Sequence, residues 1–186
     1  VLRTFATRYP QVQLDMRFMD SELAGAAVLR GEVELAVMTL PPQIEPPLAA
    51  MALWRDPLAA VASRSHPLAE CPTPTAAQLT CHPAILPGPE TFTRLVIEEG
   101  LARLRVEPPV AFSTNYLETI KMMVAVGLGW SVLPRTMLDG ELVELAIAGL
   151  DMERTLGVVR HTGQTLSNAA RAMMDIMSAG ATAVPA

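Results

Sequence analysis

The chain has 186 residues, 14 basic against 19 acidic for a net charge of -5, a single lysine (Lys121) and 4% aromatic residues. That length buries about 70% of the unfolded surface and needs no disulfide or metal staple, while the charge leaves no basic footprint for nucleic acid and the few rings leave no stacking platform for single strands. The most apolar window, Met122 to Leu133, is interrupted by Gly127, Gly129 and Ser131 and is shorter than the ~20 residues that span a bilayer, so a soluble protein is expected.

The opening VLRTFATRYP has no initiator methionine, basic leader or small-residue cleavage site, and Val1, Leu2 and Phe5 fall at helical spacing with no capping residue before them. It reads as a helix already under way, in a piece of a longer protein. Next, VQLDMRF places Val12, Leu14, Met16 and Phe18 on one side and Gln13, Asp15 and Arg17 on the other, the period of a strand with one buried face. Ser21 is a candidate cap for the helix SELAGAAVLR, Gly31 its left-handed stop, and Val33 to Met38 a buried strand. Strand, helix and strand at this spacing predict a parallel crossover.

The prolines of PPQIEPP (Pro41 to Pro47) mark a surface connection. Two short apolar segments follow, Leu48 to Trp54 and Pro57 to Ser63, then a proline-rich loop with a short helix near Ala76 to Leu79. A further crossover runs through the strand Ala84 to Leu86, the turn PGPET, a helix carrying Phe92, Leu95, Val96, Leu101 and Leu104, and the strand Val110 to Phe112. Asn115 and Glu118 have capping-box spacing ahead of the stripe Leu117, Ile120 and Val124. Gly127 ends that helix before the strand Trp130 to Leu133. Leu142 to Leu145 and Thr155 to Val159 read as strands, Leu166 to Met177 as a closing helix, and SAGATAVPA from Ser178 as a frayed tail.

Ser113, Thr114 and Asn115 therefore stand where a strand's carboxyl end meets a helix's amino end, the edge at which open parallel sheets bind ligands. Short hydroxyls and exposed amides there favour an anion, though a plain helix cap uses the same residues. Other chemistry is missing. Gly127 and Gly129 lack the third glycine of a phosphate loop, and Cys71 and Cys81 with His82 lack the close pairing of a metal site. His66, His82 and His161 sit in turns or at a strand end away from nucleophile or carboxylate partners, and read as surface or turn residues. Glu98, Glu99, Glu141 and Glu144 read as solvated faces. No enzyme activity, cofactor or metal is expected.

Four stretches in order, FATRYPQVQL (Phe5 to Leu14), LRGEVELAV (Leu29 to Val37), SHPLA (Ser65 to Ala69) and GLGWSVLP (Gly127 to Pro134), resemble the effector-binding domain of LysR-type transcriptional regulators. The resemblance covers Val1 to about Met177. It implies an α/β, two-lobed, periplasmic-binding-protein-like (type 2) fold, each lobe a mostly parallel sheet flanked by helices, with crossings near Trp54 to Leu58 and Leu133 to Thr136. One lobe would hold residues 1–54 and 135–186, the other 55–134. A winged helix-turn-helix module and the first strand of the first lobe would lie upstream, and Glu34 stands where the family usually has aspartate.

By the same resemblance, a small, anionic metabolite binds between the lobes against Thr39, Pro87, Gly88, Glu90, Thr91, Ser113, Thr114 and Asn115. A homodimer or homotetramer in the cytoplasm then alters how the missing module meets promoter DNA, with no membrane partner. The first helix and the Val12 to Phe18 strand are the implied contacts between copies. Arg94, one turn into the helix after the Pro87 to Thr91 loop, is either a partner for a ligand carboxylate or a solvent-facing residue. Two alternatives remain on the sequence: a solute-binding protein of a transporter with the same fold, and a thiol sensor using Cys71 and Cys81.

Overall fold

The computed structural model describes residues 1–181. These residues form two compact units: unit 1 holds 1–55 and the chain from 155 onward, and unit 2 holds 56–154.

In unit 1, α1 (Leu2–Arg8) buries Phe5 and lies against α7 (Asn168–Ala179). The helix α2 (Ser21–Leu29) packs on β1 (Leu35–Thr39), and Gly31 at φ +70 ends it as expected. β1 pairs antiparallel with β7 (Met152–His161), from Leu35↔Arg160 to Thr39↔Leu156. Leu53, Val158 and Met177 make the buried centre, with Met51, Trp54, Met173 and Met174 around it. Glu34 accepts hydrogen bonds from the Ser167 N–H (2.6 Å) and hydroxyl (2.9 Å), and that hydroxyl accepts from the Ala170 N–H at 3.1 Å, which sets the start of α7.

The expected strand at Val12 to Phe18 does not form. Residues 12–18 carry no ladder, and Val12, Leu14, Met16 and Phe18 are 36%, 39%, 46% and 87% exposed. Alternation names the two faces of a strand but supplies no neighbour for its N–H and C=O groups; β1, the nearest strand in sequence, pairs with β7. The predicted parallel crossover around α2 is therefore absent. The frayed tail is also corrected at its start: α7 continues to Ala179, and Trp54 Nε1 donates to the Gly180 carbonyl at 3.3 Å. Residues 182–186 of that tail lie outside the described residues.

In unit 2 the two apolar segments around Pro57 turn out to be one strand, β2 (Leu48–Ser63), which runs in from unit 1. Its end pairs antiparallel with β5 (Ser131–Pro134) and β6 (Leu142–Glu144). Leu58, Ala60 and Ala62 face a cluster with Leu79, Leu86, Ile97, Leu101 and Trp130, while Ala59 and Val61 face one with Ile85, Ile120, Val124 and Leu133. Cover on both faces is why this stretch is apolar without alternation. The same split runs through β3 (Ala84–Leu86): Ala84 and Leu86 face α5 (Phe92–Arg103), Ile85 faces α6 (Leu117–Ala125).

β3 pairs in parallel with β4 (Val110–Ser113), Ile85 opposite Phe112 and Leu86 opposite Ser113. With β2, β5 and β6 antiparallel, the sheets are mixed rather than mostly parallel. Residues 135–154 also belong to unit 2, not to the first unit as the sequence placed them. Leu142 pairs with Ser63, and Leu145, Ile147 and Met152 fill the core beside Ile97. The chain leaves unit 2 within β7, after Arg154.

Candidate functional site

Within unit 2, two loops follow the carboxyl ends of the parallel strands, Pro87 to Thr91 after β3 and Thr114 to Tyr116 after β4. They are joined by side chains. Gly88, buried in its turn, needs an acceptor for its N–H, and Asn115 Oδ1 supplies it at 2.9 Å. The Asn115 amide then donates to Glu90 Oε1 at 3.2 Å. A Cβ on residue 88 would stand 2.5 and 2.8 Å from the Glu90 carboxylate oxygens and 2.7 Å from Asn115 Oδ1, so only glycine leaves the triangle undisturbed. The Glu90 carboxyl sits below the usual carboxylate range, first through its own backbone N–H and then through Asn115.

The turn is closed from the helix side as well. The Thr91 hydroxyl donates to the Gly88 carbonyl at 2.9 Å and accepts from the Arg94 N–H at 3.1 Å, capping α5. Arg94 is 9% exposed, so it is not solvent-facing. Its Nη1 donates to the Pro87 carbonyl at 2.9 Å and its Nε to Glu98 at 2.8 Å, which makes it a brace of the loop. Thr114 donates its N–H to the Leu86 carbonyl at 3.2 Å, and its hydroxyl accepts from the Tyr116 N–H at 3.4 Å. Ser113 is exposed at the strand end.

The expected Asn115–Glu118 capping box is absent. Tyr116 is the residue before α6, no side chain caps the helix there, and Asn115 is committed to the neighbouring loop. In unit 1, Thr39 is 5% exposed and its N–H donates to the Ser21 hydroxyl at 3.1 Å. Ser21 is thus the first residue of α2 rather than its cap, and it fixes the end of β1.

Sequence reasoning also missed the buried contact of Arg154 with Asp56, 98 residues away, because no local pattern announces a pair so far apart. Of the two readings of His66, the turn holds and the surface does not: its N–H closes a turn on the Ser63 carbonyl at 3.1 Å, it is 6% exposed, its Nδ1 accepts from the Leu68 N–H at 3.1 Å, and its ring meets that of His82 edge-on at 4.8 Å. Cys71 and Cys81 are both free. A hollow of about 500 Å³ on α6, lined by Glu118, Lys121, Met122, Ala125, Val126 and Glu141, contains none of the expected residues and is open, charged surface. Among the described residues no helix is long and apolar enough to cross a membrane, and no group of histidine, cysteine and acidic residues is placed to hold a metal.

Polar loops cross-linked at the carboxyl ends of parallel strands, over a core covered on both faces, define an α/β binding domain. Residues 1–182 match the LysR substrate binding domain model, and the chain belongs to that family. It is 28% identical over 191 residues to the HTH-type transcriptional regulator CbbR of Rhodospirillum rubrum, covering 97% of this chain and 61% of that protein. It is 33% identical over 172 residues to CbbR of Cereibacter sphaeroides, covering 87% and 54%. The chain therefore spans between half and two thirds of the length of these relatives. Among solved structures, the Synechocystis PCC6803 CcmR regulatory domain in complex with 2-PG superposes with TM-score 0.86 at 26% identity, covering all of this chain and 91% of that one. The effector binding domain of QuiR in complex with shikimate shares the fold at TM-score 0.86 and 16% identity, covering 96% of this chain and 87% of that one.

Proposed function

We propose that this chain is the effector-sensing part of a transcriptional regulator. It binds a small, anionic metabolite through Pro87, Gly88, Glu90, Thr91, Ser113, Thr114 and Asn115 of unit 2. The observation that carries this reading is the pair of loops at the ends of β3 and β4, locked together through Asn115 in a chain related to a domain solved with a small molecule. The start of α6 has no side-chain cap, so its first N–H groups suit a carboxylate or phosphate. Glu90, which the Asn115 amide holds beside it, is an acceptor for a ligand hydroxyl and repels a second carboxylate, which favours a hydroxy acid over a bare anion. In this reading promoter DNA is met by a module outside this chain, which the helix-turn-helix names of the relatives support, and the regulator works as a cytoplasmic homodimer or homotetramer. The ligand acts only through its difference in affinity between the protein's arrangements.

A thermal-shift screen of the chain against small organic acids, including 2-PG and shikimate, tests this. A ligand at ~100 times its dissociation constant adds about 2.7 kcal/mol of stability. The expected result is a hit among the hydroxy acids that is lost in Thr114→Ala. Hits that survive both Thr114→Ala and Asn115→Ala would move the ligand away from these loops.

A further inference from the structure

Asp56 is the first residue of unit 2 and Arg154 the last. The Arg154 Nε donates to Asp56 Oδ2 at 2.7 Å and its Nη1 to the Thr93 hydroxyl at 2.9 Å. The side chains of the ion pair keep 12% and 9% of their exposure, and Thr93 keeps 9%. One guanidinium thus ties the two ends of the unit to the first turn of α5. Thr93 follows Thr91, whose hydroxyl closes the Gly88 turn, and precedes Arg94, whose guanidinium holds the Pro87 carbonyl. A continuous line of bonds runs from Asp56 through Arg154, Thr93 and the turn to Asn115. Buried ion pairs contribute little net stability compared with apolar packing, whereas a planar fork holding two acceptors fixes direction, which an ammonium cannot do.

We propose that Arg154 is a positioning residue that couples the Pro87–Thr91 loop to the two places where the chain passes between units, so that a displacement of α5 is felt at both. The signal it would carry rests on the effector reading above; the coupling itself belongs to the ligand-free chain.

Hydrogen exchange of the whole chain without ligand, read by mass spectrometry, tests it. Thr93→Val removes the acceptor at almost constant shape and leaves the Asp56–Arg154 pair. It should speed exchange at residues 54–58 and 152–156 about tenfold, the worth of one hydrogen bond to a charged group, while Ala84–Leu86 stays slow. Arg154→Lys should do the same, and Asp56→Asn should speed the 87–94 loop, because coupling is reciprocal. Faster exchange confined to α5 in Thr93→Val, or a uniform rise that includes Ala84–Leu86, would overturn the proposal and leave Arg154 an ordinary structural residue. Because no ligand enters, a silent metabolite screen and a failed coupling are separate results.

Discussion

The Pro87–Asn115 region of unit 2 and the 12–18 segment of unit 1 look alike in sequence, each an apolar stretch with polar residues set into it, yet they end in opposite states. In unit 2 the polar groups of the two loops and the start of α5 bond one another: Asn115 serves Gly88 and Glu90, Thr91 serves Gly88 and Arg94, and Arg94 serves Pro87 and Glu98. In unit 1 the segment pairs with no strand, and Phe18 is 87% exposed. The difference lies in what is adjacent. β3, held between α5 and α6, pairs in parallel with β4, so their loops meet, while 12–18 has periodicity without a paired strand. Substitutions in unit 2 should therefore register as stability, and substitutions in 12–18 should not.

The largest effect is expected beneath the unit 2 loops. Trp130 is fully buried, and its Nε1 donates to the Leu79 and His82 carbonyls, each at 3.2 Å. Trp130→Ala removes a large side chain from the cluster and takes a donor from both carbonyls, of which Leu79 keeps the His82 N–H at 3.3 Å, and should cost about 3–5 kcal/mol in chemical denaturation. A loss below about 1 kcal/mol would mean that the loops stand on something other than this core.

Asn115→Ala comes next. It leaves the buried Gly88 N–H without its acceptor and frees the Glu90 carboxylate, for a loss of about 1–3 kcal/mol. Asn115→Asp keeps an acceptor for Gly88 but sets two carboxylates together, so it should recover part of that loss as pH falls. Equal losses at every pH would show that Glu90 is not the neighbour that matters.

Much of this was legible in the sequence where residues act locally. The stops at Gly31 and Gly127, the helix after Thr91, the strand at Ala84–Leu86 and the polar trio at a strand end all follow from spacing. What could not be read was pairing at a distance. Asn115 has the spacing of a cap, but a buried N–H 27 residues earlier takes it. Residues 135–154 look like a return to unit 1 until Leu142, Leu145 and Met152 are seen in the unit 2 core. For the candidate site, the sequence located the loops but not the bonds that lock them, because Gly88 and Arg94 owe their roles to partners on other elements or earlier turns.

A smaller effect belongs to pH. Burial, with His82 second, holds the His66 imidazole below its usual pKa. A base depressed by folding is still neutral in the fold when it is already charged in the unfolded chain. Its contribution is therefore complete above the ordinary histidine value of about 6.5 and is lost as pH falls through the lower folded value. Protonation at Nδ1 would also end its bond with the Leu68 N–H, which starts α3 (Pro67–Glu70). The unfolding midpoint should fall between pH 7 and 5, and His66→Asn should flatten that fall. A midpoint equally steep in the variant would assign the acid sensitivity to other groups.

The smallest stability effect is expected in unit 1, and it separates folding from assembly. Leu14 is 39% exposed on a segment with no ladder, so Leu14→Arg should change denaturation by no more than about 0.5 kcal/mol. If the same apolar row, with Met16 and Phe18, is a contact between copies, the substitution appears twice across a two-fold interface and places like charges against apolar surface. The mass in solution should then drop from dimer to monomer, and the midpoint should no longer depend on protein concentration. A changed midpoint with unchanged mass would mean that 12–18 packs within its own chain after all, and that the contrast between the two regions is one of degree. Unchanged mass and midpoint together would keep the contrast in stability and put the contact between copies elsewhere on the surface.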